Sequence, residues 1–131
     1  MRVPKPKIRK PLSRRLKQRA WDLQSELIRR SEGGKCFTCD IIKPWKEMQA
    51  GHYIHKECLD FNRKNIHCQC VGCNKWRSGN REEYALRLEK KYGYGILQEL
   101  KTASYEDKYW KVAELKELIE QLKAEINEIS Y

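Results

Sequence analysis

Two pairs of cysteines, Cys36-x-x-Cys39 and Cys70-x-x-Cys73, constrain this chain more than anything else in it. At that spacing one tight turn presents two thiolates to a single ion. Four thiolates about 2.3 Å from a tetrahedral Zn2+ form a closed structural site. Thirty residues separate the pairs, which leaves room for a hairpin pinned between two zinc knuckles. Cys58 and Cys68 are left over; Cys68-x-Cys70 is a poorer chelating spacing, so both read as free thiols, with Cys68 as the substitute ligand. Six cysteines in a secreted scaffold would instead form three disulfides. Residues 1–22 hold no apolar stretch of the secretory kind, and although their Arg-rich start also resembles a transit peptide, Pro4, Pro6 and Pro11 interrupt any early helix. The expectation is a reducing cytosol, where paired thiols are more often metal ligands than disulfides.

At 131 residues the chain has the size of one domain, with a core too slight to fix a long hairpin unaided. No apolar run approaches the roughly 18 residues of a membrane span, so a soluble protein is expected. The net charge of +10 is unevenly spread: +9 over residues 1–19, −2 over 20–28, +6 over 29–91 and −3 over 92–131. A basic arm joined to a basic middle suggests a polyanionic partner, and nucleic acid suits a chain without an apolar anchor better than a membrane does.

Residues 1–12, with three prolines and alternating cations, read as a disordered basic arm. Leu16, Ala20, Leu23 and Leu27 then recur at spacings of 4, 3 and 4, which predicts a helix over 13–30 that Gly33 and Gly34 end. The segment 36–73 lacks helical period and suits a short hairpin with loops. Asn80 with Glu83 has the spacing of a capping box and opens a helix to about Tyr92. Ser104 with Asp107 gives a second such start, for a C-terminal amphipathic helix over 104–131 in which Val112, Leu115, Ile119, Leu122, Ile126 and Ile129 form a heptad-like seam. That seam suits either a helix packed on its own domain or a homodimeric coiled coil.

Three histidines exist: His52, His55 and His67. His52 follows Gly51 at the end of a strand-like stretch, Asn65 comes thirteen residues later, and Asn74 directly follows the second Cys pair, where a helix should begin. Taken alone, Asn65 also suits a turn and Asn74 a helix cap. The order resembles the HNH, or ββα-metal, nuclease motif. More narrowly, the blocks Trp-Lys-Glu-Met-Gln-Ala-Gly-His-Tyr at 45–53, Leu-Asp-Phe at 59–61, Asn-Ile-His at 65–67, Gln-Cys-Val-Gly-Cys-Asn at 69–74 and Ser-Gly-Asn at 78–80 resemble the phage recombination proteins called NinG or Rap. The resemblance covers roughly residues 17–95.

It implies a small α+β fold, a zinc-stapled ββα-metal (HNH or treble-clef-like) core spanning 13–103 with flanking helices. The implied activity is a structure-selective DNA endonuclease acting on branched recombination intermediates, Holliday junctions and D-loops, in the cytoplasm of a bacterial host. A neutral imidazole near its ordinary pKa suits removal of a proton from the attacking water, so His52 is the expected general base. Mg2+ or Mn2+ would act as the Lewis acid, held by Asn74, with Asn65 bonding across the hairpin to orient His52 and His67 as an additional candidate ligand. Many HNH nucleases carry an acid or a second His just before the base and a His after the last Cys; this chain has Gly51 and Asn74 there. Arg2, Lys5, Lys7, Arg9, Lys10, Arg14, Arg15, Arg63, Lys64, Lys75, Arg77 and Arg81 would contact phosphates without reading sequence. A non-catalytic zinc-dependent DNA-binding or adaptor module is the alternative.

Overall fold

The computed structural model describes residues 2–5 and 9–129. Lys7, one of the expected phosphate contacts, lies outside the described residues. Residues 2–5 and 9–11 carry no helix or strand and are exposed, and a helix begins at Leu12. This helix, α1 (Leu12–Ser31), buries Ala20, Leu23 and Leu27 of the stripe seen in the sequence. Its end is fixed by Gly33 and Gly34, at φ +66° and +67°. A Cβ at Gly34 would stand 2.0 Å from the Lys43 carbonyl oxygen, so the close return of the chain demands glycine there.

The hairpin between the Cys pairs is present. Strand β1 (Gln49–His52) pairs antiparallel with β2 (Ile66–Gln69), with Gln49 opposite Gln69, Ala50 opposite Cys68, Gly51 opposite His67 and His52 opposite Ile66. Side chains alternate across a ribbon, so this register sorts them into two layers. Ala50, Ile66 and Cys68 pack with Met48 against Trp21 and Ile28 of α1. Gln49, Gly51, His67 and Gln69 face the opposite side, where α2 (Arg81–Tyr92) lies and Tyr84, fully buried, donates its hydroxyl to the Gly51 carbonyl at 2.7 Å.

Helix α2 packs on α3 (Ile96–Ala103) through Tyr84, Leu88, Ile96 and Leu100. Helix α3 was not expected. Ser104, read as the start of the last helix, closes α3 instead, its backbone N–H reaching back to the Leu100 carbonyl at 2.9 Å. The last helix, α4, spans Val112–Ile129; its cap is Glu114, whose carboxylate accepts from the Lys111 N–H at 3.1 Å. The capping box expected at Asn80 is also absent. Asn80 is left-handed (φ 50°, ψ 52°), which Asn tolerates better than most residues, and its amide donates to the Cys73 sulfur at 3.7 Å. As for the C-terminal seam, Ile119, Leu122 and Ile126 bury against Ala20, Leu23 and Leu27 of α1 in the same chain. The seam offered to a second copy is thereby occupied. No helix among the described residues is long and apolar enough to cross a membrane.

Candidate functional site

The ligand atoms of Cys36, Cys39, Cys70 and Cys73 lie within 4.8 Å of one another, the only such cluster of His, Cys, Asp or Glu among the described residues. The edge of a tetrahedron of sulfurs each about 2.3 Å from Zn2+ is about 3.8 Å. Cys39 and Cys70 sulfurs stand 3.7 Å apart, so the donor set fits zinc. Burial raises the Cys36 thiol, but hydrogen bonds from the Thr38 side chain and from the Cys70 and Thr38 backbone outweigh it and bring it down to about 6. Burial, together with thiol neighbours that share its hydrogen bonds, pushes Cys39 up to about 12. Cys36 is thus the readier thiolate of the first pair, and Cys39 is the one that a bound cation must help to lose its proton.

Cys68 is not a substitute ligand. It packs in the α1 layer with Ile28 and Ile66, and burial, reinforced by the Glu32 charge, pushes its thiol up to about 12. Cys58 is partly exposed and points its sulfur at the Ser104 carbonyl, 3.5 Å away.

His52 ends β1 on the α1 side. Its ring stacks on Trp21 with centroids 4.8 Å apart and planes 4° off parallel, and the exposed His55 lies 5.5 Å away. Nε2 is buried without a hydrogen-bond partner, although Asp60 Oδ1 stands 3.4 Å from it at an angle that forms no bond. Burial lowers the His52 pKa, against an opposing pull from Asp60, so the ring is neutral at neutral pH. It opens on a cleft of about 290 Å3 walled by Arg14, Lys17, Gln18 and Trp21 of α1 and by Asp60 and Phe61. Trp21, Lys17 and Asp60 were given no site role from the sequence, although Asp60 sits in the Leu-Asp-Phe block at 59–61; the repeat of 17, 21 and 24 along α1, beside its leucine stripe, was the available signal.

Asn65 is fully buried and clamps the backbone after the strand: its Oδ1 accepts from Ile54 N at 2.9 Å and its Nδ2 donates to Ile54 O at 3.0 Å. It fixes the loop following His52 and does not bond the ring. Asn74 lies on the other face of the ribbon. Its Nδ2 donates to Gln49 Oε1 at 2.7 Å, and its Oδ1 stands 2.9 Å from where a Gly51 Cβ would be. Only amide groups gather there, the buried and unpartnered Gln69 Oε1 among them. Asn74 and His52 therefore face opposite sides of the ribbon, and the residues around Asn74 do not fit a Mg2+ or Mn2+ centre shared with His52. His67 is no ligand either: it is 3% exposed, with Nδ1 3.0 Å from Glu32 and Nε2 3.2 Å from the Tyr92 hydroxyl.

Of the basic residues, Arg2, Lys5, Arg9 and Lys10 are exposed before α1, and Arg14 reaches the cleft. Arg15 donates to the Lys10 carbonyl at 3.2 Å. Lys75 and Arg77 are exposed beside the second knuckle. Arg63 and Lys64 pair with Glu125 and Glu99, and Arg81 donates to the Tyr53 carbonyl at 2.9 Å, so these three are already engaged within the chain.

Comparison with known proteins agrees with the motif blocks along almost the whole chain: a family described as Bacteriophage Lambda NinG protein matches residues 2–131. The chain belongs to the NinG family. Protein ninG of Escherichia phage lambda is 30% identical over 110 residues, covering 82% of this chain and 53% of that protein. Protein ninG of Salmonella phage P22 is 30% identical over 96 residues, covering 71% of this chain and 47% of that one. This NinG-family chain thus spans about half the length of the curated relatives it matches. No solved structure matches it significantly.

Proposed function

We propose that this NinG-family chain is an HNH-type DNA endonuclease that hydrolyses phosphodiester bonds in branched recombination intermediates such as Holliday junctions and D-loops. The observation that carries the reading is His52: a neutral imidazole in a cleft rimmed by Arg14 and Lys17, at the end of a hairpin stapled by four close cysteines. Water attacks the phosphorus in line as the imidazole takes its proton, the P–O3′ bond breaks, and the leaving 3′ oxygen takes a proton from solvent in the open cleft. Arg14 holds the phosphate, Lys17 beside it being paired with Glu57 and Asp60, and the exposed cations before α1 with Lys75 and Arg77 hold the flanking backbone. Such contacts recognise shape and charge and read no bases, as expected for a substrate defined by branching. Because no donor set among the described residues fits Mg2+ or Mn2+ beside His52, each step assigned to the protein rests on the chain's own side chains.

The test is His52→Ala assayed on a four-way junction, with junction binding and zinc content measured alongside. Lost cleavage with both controls retained supports the reading. Unchanged cleavage refutes it, and a wild-type protein that binds the junction but never cuts it is a DNA-binding adaptor.

A further inference from the structure

We propose that Asp60 is the positioning residue that fixes the tautomer of His52, placing the proton on Nε2 and leaving Nδ1 to accept the proton of the attacking water. The inference rests on His52 being the base.

The geometry is specific to one ring nitrogen. Nε2 is shut off from solvent and has no hydrogen-bond partner, and the Asp60 carboxylate lies 3.4 Å from it. A lone pair that close to a carboxylate oxygen is repelled, whereas an N–H dipole is attracted even off the hydrogen-bond axis, so the neutral ring takes the Nε2–H form. Nδ1 is then the nitrogen left for water. A carboxylate beside an imidazole likewise sets the tautomer in serine hydrolases, where the acid orients the ring without itself taking the proton.

Asp60 is held for this from one face of α1. Lys17 Nζ stands 3.5 Å from Asp60 Oδ2, the other carboxylate oxygen. Gln24, 1% exposed, donates from Nε2 to the Asp60 main-chain carbonyl at 2.6 Å. Between them Trp21 stacks on the imidazole. Positions 17, 21 and 24 are a turn apart, so one helix face fixes the acid at two points and the ring plane at a third. The charged and titratable groups facing His52 are Asp60, His55, and Lys17 and Arg14 across the cleft. Asn65, by contrast, bonds only the backbone of Ile54.

The experiment combines 15N NMR of the imidazoles in the zinc-loaded full chain with pH profiles of junction cleavage, for wild type, Asp60→Asn and Asp60→Glu. Wild-type His52 is expected as the Nε2–H tautomer. Asp60→Asn reverses or mixes the tautomers and lowers kcat on the order of 10²-fold with KM little changed, while Asp60→Glu restores both in part. Because the carboxylate raises the proton affinity of His52, its removal also moves the acid limb to lower pH. A wild-type Nδ1–H ring, or a tautomer and acid limb unmoved by Asp60→Asn in a protein of unchanged zinc content and melting temperature, overturns the proposal. If Asp60→Asn reverses the tautomer but His52→Ala cleaves as well as wild type, Asp60 does position the ring, and it is the assignment of His52 as base that fails.

Discussion

Truncating Leu122 to alanine tests the helix pair that carries the site. Leu122 is fully buried on α4 against Ala20, Leu23 and Leu27 of α1. The substitution removes about three methylene equivalents at ~0.8 kcal/mol each, a transfer loss of about 2.4 kcal/mol. The cavity left adds about 24 cal/mol per Å3 that fails to collapse, which brings the expected loss to roughly 3–4 kcal/mol. With a urea slope of about 2 kcal/mol per molar, the unfolding midpoint falls by roughly 1.5–2 M. The measurement is urea unfolding of zinc-saturated protein followed by circular dichroism at two concentrations tenfold apart. Because the seam closes on the same chain, the midpoint should be the same at both. Lys123→Ala is the control, since the exposed Lys123 pairs with Glu120 on its own helix and should cost under about 0.5 kcal/mol. A loss below about 1 kcal/mol for Leu122→Ala, or a midpoint that rises with protein concentration, would refute the docking of α4 on α1.

Cys39→Ser, at the exposed corner of the cluster, should lower bound zinc from one ion per chain to well below that, by metal analysis, and abolish the near-ultraviolet signal of the aromatics around the hairpin; a stable, zinc-free fold would overturn the ligand set. Deleting residues 1–10 removes five cations and leaves α1 whole, at the loss of one exposed bond from Arg15 to the Lys10 carbonyl. Junction binding should weaken and its log–log salt slope flatten by up to about 0.9 for each phosphate that is no longer neutralised, with the melting temperature nearly unchanged.

The four-cysteine cluster and the hairpin were legible because their information is local: a chelating turn needs two cysteines three positions apart, and both pairs supply them. The end of α1 was legible at Gly33 and Gly34 for the same reason. Ser104 misled because a serine followed three residues later by an acid is equally at home closing one helix before a loop, and the apolar Ile96, Leu97 and Leu100 upstream carried the better signal for α3. The surroundings of His52 were out of reach. Asp60 and His52 are eight positions apart in the chain, and Trp21, Lys17 and Gln24 come from a helix thirty residues upstream; only the packing of α1 on the hairpin brings them together. Asn74 failed for a related reason. Its position after Cys73 is readable from sequence, but the face of the ribbon it joins depends on strand register, which a one-residue shift would reverse.

A side chain at residue 51 would begin with a carbon 1.8 Å from the Gln69 amide oxygen and 2.9 Å from that of Asn74. Gln69 cannot simply swing away, since its own amide nitrogen is tied to Thr38 at 3.1 Å and to the Gly79 carbonyl at 2.9 Å. An acid at 51 would therefore require the Gln69 amide to leave Thr38 and Gly79, so a substitution at 51 alone should cost stability that a smaller residue at 69 restores.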